Sequence, residues 1–150
     1  MLIFLDIDGV MVHANSWKKP NFLQDGFYEF TQKSTLALQK IISETNAKIV
    51  LTTSHKSRFS IPNWKQIFSS RGIEVNEIDR LPEIEHHLNR KDELLNWFNA
   101  HKIEEDFFII DDDRSLNELP EHLKKRLIQT SPSIGLTEKL VDEALLSRKG

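Results

Sequence analysis

The chain has 150 residues, 39% of them hydrophobic and 29% charged, and a formal net charge of −3. That length suits one domain, residues 1–150, with a real core, and so small a net charge leaves no electrostatic footprint for tight polyanion binding. There are no cysteines, which excludes disulfides, thiolate catalysis and cysteine-rich zinc sites.

In chain order, LIFLDI (Leu2 to Ile7) reads as a buried strand that runs into acid. It is far too short for a membrane span. It also lacks the basic segment and small-residue cleavage site of a signal peptide, so a cytoplasmic protein without membrane contact is expected. The segment from Met11 to Lys33 is irregular, with Asn15, Lys18, Lys19, Pro20 and Gly26, and predicts a loop or small excursion. From Thr31 to Asn46, helical spacing puts Leu36, Leu38, Ile41 and Ile42 on one broad face. KIVLTT (Lys48 to Thr53) is a second buried strand. NWKQIFSSRG predicts a short helix closed by Gly72, and IEVNEI a strand after it. KDELLNWFNAH (Lys91 to His101) predicts an amphipathic helix with Leu94, Leu95 and Phe98 inward, and FFII (Phe107 to Ile110) a strand that again ends in acid. RLIQT gives a last short strand, and LTEKLVDEALLSRKG a terminal helix fraying at Lys149 and Gly150. Strands alternating with helices predict an α/β fold: a three-layer sandwich around a mostly parallel sheet with right-handed crossovers.

In such a sheet, ligands bind beyond the carboxyl ends of the strands. One strand ends at Asp6 and Asp8, the next at Thr52, Thr53 and Ser54, and a third at Asp111, Asp112 and Asp113. Five carboxylates gathered on one edge repel one another unless a cation sits among them. Oxygen-only ligands point to Mg²⁺ rather than zinc. A hydroxyl at the second strand end can bond a phosphate oxygen, and Lys91, at the head of a helix, can add positive charge. Together these make a phosphoryl-transfer site. Taken singly, DxDG is an Asx turn, TTS an N-cap and a helix-opening lysine a solvated side chain. In this order at equivalent strand ends, that bland reading needs several independent coincidences.

LDIDGV, IVLTTS, Lys91 and FFIIDDD resemble the four motifs of the haloacid dehalogenase (HAD) superfamily of Mg²⁺-dependent phosphohydrolases, over Leu2 to Asp113. The arrangement is also similar to small HAD domains associated with RNA-repair proteins, where SSWR-like and K…DDD stretches occur. Here His55 and Lys56 stand where a Trp-Arg pair is expected. The resemblance implies a HAD-like Rossmannoid fold and a phosphatase. Asp6 would be its nucleophile, forming an aspartyl-phosphate, and Asp8 its general acid and then base. Gly9 would permit the turn that exposes both carboxylates and brings the chain close to the phosphate. It further implies Mg²⁺ held by Asp6, the Asp8 carbonyl and Asp111, with Asp112 close behind. The phosphate would meet the hydroxyl of Thr52 or Thr53, with Thr53 slightly preferred, and the ammonium of Lys91.

Such enzymes carry small-molecule specificity in cap insertions. The gaps from Met11 to Lys33 and from Val75 to Arg90 are too short for a full one. A minimal cap leaves the site open to a phosphorylated macromolecule such as a nucleic-acid end, or to a nucleotide. His13, Trp17, Lys18, Lys19, His55, Lys56 and Arg58 lie near the expected mouth, and Trp17 could stack a base. His86 and His87 diverge on either a helix or a strand and read as a surface pair. Trp64 and Trp97 read as core. The rival readings are a phosphate-accepting receiver module and an inactive HAD-like binding domain. DxDGV spacing disfavours the receiver, and the presence of every expected acid disfavours the inactive domain.

Overall fold

The computed structural model describes residues 1–14, 19–83 and 88–149, with residue 149 described by its backbone alone. Trp17, Lys18, His86 and His87 lie outside the described residues.

Five short strands form one sheet: β1 (Leu2–Leu5), β2 (Lys48–Leu51), β3 (Ile78–Arg80), β4 (Phe107–Asp111) and β5 (Leu127–Gln129). Their order is β3-β2-β1-β4-β5 and every pairing is parallel. The helices are α1 (Gln32–Thr45), α2 (Ile61–Ser70), α3 (Arg90–Ala100), the single turn α4 (Glu121–Lys124) and α5 (Glu138–Lys149), with a 3-10 segment at Arg114–Glu118. Among the described residues no helix is long and apolar enough to cross a membrane.

Side chains alternate along a strand, so each strand feeds two cores. Ile3, Leu5, Ile49, Leu51 and Ile110 pack on one face with Leu38 and Ile41 of α1, Trp64 and Phe68 of α2, and Val141 of α5. Phe4, Val50 and Ile109 pack on the other with Leu94 of α3, Leu116 and Leu123. That three-layer arrangement is the α/β fold expected from the sequence, with the sheet wholly rather than mostly parallel.

Three local readings change. Leu36 was expected on the buried face of α1 but is 46% exposed. Ser34 and Ala37 are buried instead, and the Ser34 hydroxyl donates to the Leu136 carbonyl at 3.1 Å. The helix is therefore phased by Ser34, Leu38, Ile41 and Ile42, and a step of 100° per residue turns Leu36 away from that stripe. In IEVNEI only Ile78 enters a strand. Ile49 is the first β2 residue to find a β3 partner, pairing with Ile78, so Ile73 and Val75 are buried without a ladder. In α3, Leu94 is fully buried, whereas Leu95 and Phe98 are only partly so.

The excursion between β1 and α1 is tied down by α2. Arg71 forks onto the Asp25 carboxylate at 2.6 and 3.1 Å and donates from Nε to the Tyr28 carbonyl at 2.8 Å. That pairing holds Asp25 below the usual carboxylate range. Phe27, fully buried, meets Trp64 edge-on at 5.1 Å between centroids. Within this segment Phe22 and Tyr28 form one isolated antiparallel bridge.

Removing the buried Leu38 side chain (Leu38→Ala) is expected to cost about 2–5 kcal/mol of unfolding free energy in urea. Leu36→Lys, on the exposed side of the same helix, should change it by less than about 0.5 kcal/mol.

Candidate active site

Register decides which side chains meet at the sheet's carboxyl edge. Leu5 pairs with Leu51 on one side and Ile110 on the other. One residue on, the Asp6 amide donates to the Ile110 carbonyl at 3.1 Å and the Thr52 amide to the Leu5 carbonyl at 2.9 Å. Asp6, Thr52 and Asp111 therefore follow Phe4, Val50 and Ile109 onto the face that α3 covers. Thr53 follows Leu51 to the opposite face. Among the described residues the buried Thr52 hydroxyl has no hydrogen-bond partner, whereas that of Thr53 accepts the His55 amide at 3.2 Å. Of the two threonines it is Thr52, not the preferred Thr53, that shares a face with Asp6.

Asp6 and Asp111 are buried and Asp112 is partly so, and one carboxylate oxygen from each lies within 4.8 Å of the others. The Asp111 carboxylate divides its work. Oδ1 accepts the Asp113 amide at 3.0 Å, while the buried Oδ2 accepts no hydrogen bond among the described residues. Asp113 itself turns to cap the 3-10 segment, accepting the Ser115 amide at 2.9 Å. Burial first, and then mutual repulsion, raises the Asp6 pKa well above its ordinary value. Burial likewise lifts Asp111 to about 6 and raises Asp112.

The cation facing these acids is Arg90. Its Nη2 lies 3.6 Å from Asp6 Oδ1 and its Nε 3.5 Å from Asp111 Oδ2, and Nη1 donates to the Thr52 carbonyl. Burial alone would weaken its charge, but Asp6 and Asp111 outweigh that and push its pKa up. Lys91 is elsewhere, its ammonium 3.2 Å from the exposed carboxylate of Glu118. Asn89 caps α3 by accepting the Asp92 amide at 2.8 Å, so Arg90 is the first helical residue. Arg90 precedes the buried Leu94 by four residues and shares its inward face, while Lys91, 100° further round, does not. The NRKDELL phasing carried that signal, but reading the lysine as the site cation passed over it.

The DxDG loop is held by the other end of the chain. Gly9 has φ 78°, and a β-carbon there would collide with the Asp112 carboxylate. The Thr130 hydroxyl donates to the Gly9 carbonyl at 2.7 Å, and the Leu136 amide to the Val10 carbonyl at 2.8 Å. Gly135, at φ 81°, sits so close to that carbonyl that a side chain would strike it. Sequence reasoning assigned no role to Thr130 or Gly135, because neither stands near an acid in the chain.

Asp8 is not one of the three grouped carboxylates. Its side chain is 44% exposed and Oδ2 lies 2.8 Å from His55 Nε2. His13, Lys19 and Arg58 are exposed, and Lys56 is buried with its ammonium 3.9 Å from Glu93.

The family described as "HAD domain in Swiss Army Knife RNA repair proteins" matches residues 2–141. The chain belongs to this family. A search of curated proteins finds no match. As a HAD domain the chain falls in a class of phosphatase-type hydrolases that generally use Mg²⁺, and its donors suit such an ion. All three acids offer oxygen, one buried oxygen accepts no hydrogen bond among the described residues, and a single guanidinium faces two of the three carboxylates.

The raised pKa values set the sign of a pH effect. An unfolded Asp titrates near 3.8 and Asp111 near about 6, so the folded metal-free protein takes up protons first as pH falls. The cluster's contribution to stability therefore increases from about pH 6 down to about pH 4 and is lost as pH rises back through that window. Thermal melts of metal-free protein should show this gain, and Asp111→Asn should remove much of it. Added Mg²⁺ should raise the midpoint at about pH 7.5 and do so less at about pH 5.5, where protons compete.

Proposed function

We propose that this HAD domain is a Mg²⁺-dependent phosphohydrolase working through an aspartyl-phosphate on Asp6. Its substrate is an accessible phosphomonoester, a nucleic-acid end or nucleotide. The observation that carries the reading is the placement of Arg90 against Asp6 and Asp111, on the face where the Thr52 hydroxyl has no partner. A buried cation, an unused donor and an acid cluster are what a phosphoryl group with its metal would need.

In the first step an Asp6 carboxylate oxygen attacks phosphorus and the bond to the leaving oxygen breaks. Asp8 passes its proton to that oxygen. In the second, water attacks the phosphorus of the aspartyl-phosphate, Asp8 takes the water's proton, and the bond to Asp6 breaks to release phosphate and restore both acids. Asp6, Asp111, Asp112 and the Asp8 carbonyl would hold Mg²⁺, which neutralises phosphoryl oxygens and keeps Asp6 ionised. Arg90 takes the part first given to Lys91, drawing the phosphoryl oxygens toward Asp6, and the Thr52 hydroxyl donates to one of them. Gly9 lets Asp112 approach. The nucleic-acid preference rests on the family's occurrence in RNA repair proteins. It rests also on the small excursion beside the site, whose described part holds isolated bridges rather than a sheet or helix of its own. Cytoplasmic location and one domain over 1–150 belong to the same reading.

Phosphate release with Mg²⁺ should disappear in Asp6→Asn. Arg90→Ala should cost about 100-fold or more, and Lys91→Ala less than about threefold. Full activity in Asp6→Asn, or a larger loss at Lys91 than at Arg90, would show the assignment to be wrong. Screening 3′- and 5′-phosphorylated oligonucleotides against sugar phosphates and phosphopeptides identifies the substrate. Repeated turnover excludes a receiver, which takes up phosphate only once per molecule.

A further inference from the structure

Outside the acid cluster, one polar contact at the site is unexplained by the roles above, that of His55 with Asp8. We infer that His55 is a positioning residue: it fixes the Asp8 carboxyl so that one oxygen is held and the other is presented to the leaving group. The inference rests on the phosphohydrolase reading and concerns Asp8 alone.

The contact is 2.8 Å, between His55 Nε2 and Asp8 Oδ2, and it spans 47 residues of sequence. Toward an ionised Asp8 the imidazole donates from Nε2–H, and we assign the same tautomer when Asp8 is in its acid form. Among the described residues no other hydrogen bond reaches the Asp8 side chain, which is half-exposed and would otherwise sample several rotamers. The imidazole is itself immobilised. Its ring stands edge-on to Phe27 at 5.5 Å and 74°, and to Tyr28 at 5.4 Å and 90°. Its amide donates to Thr53 Oγ1 at 3.2 Å, and its carbonyl accepts the Arg58 amide at 2.9 Å. Phe27 is in turn wedged against Trp64 and Phe59. The short excursion, pinned by Arg71 to Asp25, thereby builds one wall that steadies the imidazole.

That arrangement has a chemical consequence. With Oδ2 occupied by the Nε2–H, the proton that Asp8 gives up must sit on Oδ1. When the phosphorus–oxygen bond to the leaving group breaks, this Oδ1 proton goes to the leaving oxygen and the negative charge left on Asp8 is stabilised by the existing hydrogen bond. His55 neither gains nor loses a proton, and touches no reacting atom. It therefore differs from a histidine that contacts phosphate, which would matter equally for every substrate.

Leaving groups separate the two roles. An activated phenolate departs with little help, whereas a poor one needs the Asp8 proton. Because kcat/KM reports the step in which the leaving group departs, it should be measured over substituted phenyl phosphates, from 4-nitrophenyl to unsubstituted phenyl. His55→Ala is expected to lose about tenfold or more on phenyl phosphate and much less on 4-nitrophenyl phosphate. His55→Gln, whose side-chain amide can place an N–H near the same point, should recover most of that loss. A crystal structure of His55→Ala should show the Asp8 carboxyl displaced. Equal losses across the series, no loss, an unmoved Asp8, or a failure of Gln to restore the slope while the protein stays folded would each overturn the inference and leave the phosphatase standing. Absence of Mg²⁺-dependent turnover in the unaltered protein would instead overturn the phosphatase, and the role of His55 with it.

Discussion

The constraint on which the rest depends is mutual repulsion among Asp6, Asp111 and Asp112, packed at one sheet edge with two of them buried. Water does not screen charges placed there, so the edge is unfavourable at neutral pH unless positive charge is supplied. Arg90 supplies part of it from the first turn of α3. Asp111 Oδ2, 3.5 Å from Arg90 Nε and without a hydrogen bond among the described residues, marks where more would be accommodated. A structure built for stability alone would have no reason to gather these acids.

Holding that edge together falls to backbone contacts remote in sequence. The Thr130 hydroxyl and the Leu136 amide grip the carbonyls of Gly9 and Val10. Two glycines, at positions 9 and 135, allow backbone and carboxylate to come closer than any side chain would permit. The loop bearing both catalytic candidates is thus clamped from the segment after β5 as well as by turn bonds of its own, such as those from the Val10 and Met11 amides to the Ile7 carbonyl. Preorganisation of that kind matters because a phosphoryl group is handled mainly by position and charge.

The strands were readable because buried parallel strands are short runs of apolar, β-branched residues, and LIFL, KIVL and FFII contain almost nothing else. Asp6, Thr52 and Asp111 each directly follow such a run, and Asp8 stands two residues beyond Asp6, so their place at the strand ends was legible. Leu36 misled because hydrophobicity was counted without knowing that Ser34 has a carbonyl to bond across the helix. IEVNEI misled because burial at Ile73 and Val75 imitates a strand where no ladder partner exists.

The chain order of apolar runs and acids was sufficient for the fold class and for the strand ends at which chemistry would lie. Both follow from local periodicity and from the rule that parallel strands all point one way. Three placements became visible only when the elements packed. Helical phase puts Arg90 rather than Lys91 beside Asp6 and Asp111, strand register puts Thr52 rather than Thr53 on the face of Asp6, and a contact across 47 residues joins Asp8 to His55. Each is a matter of direction in space between segments, and adjacent residues in a sequence differ by half a turn in a strand and by 100° in a helix.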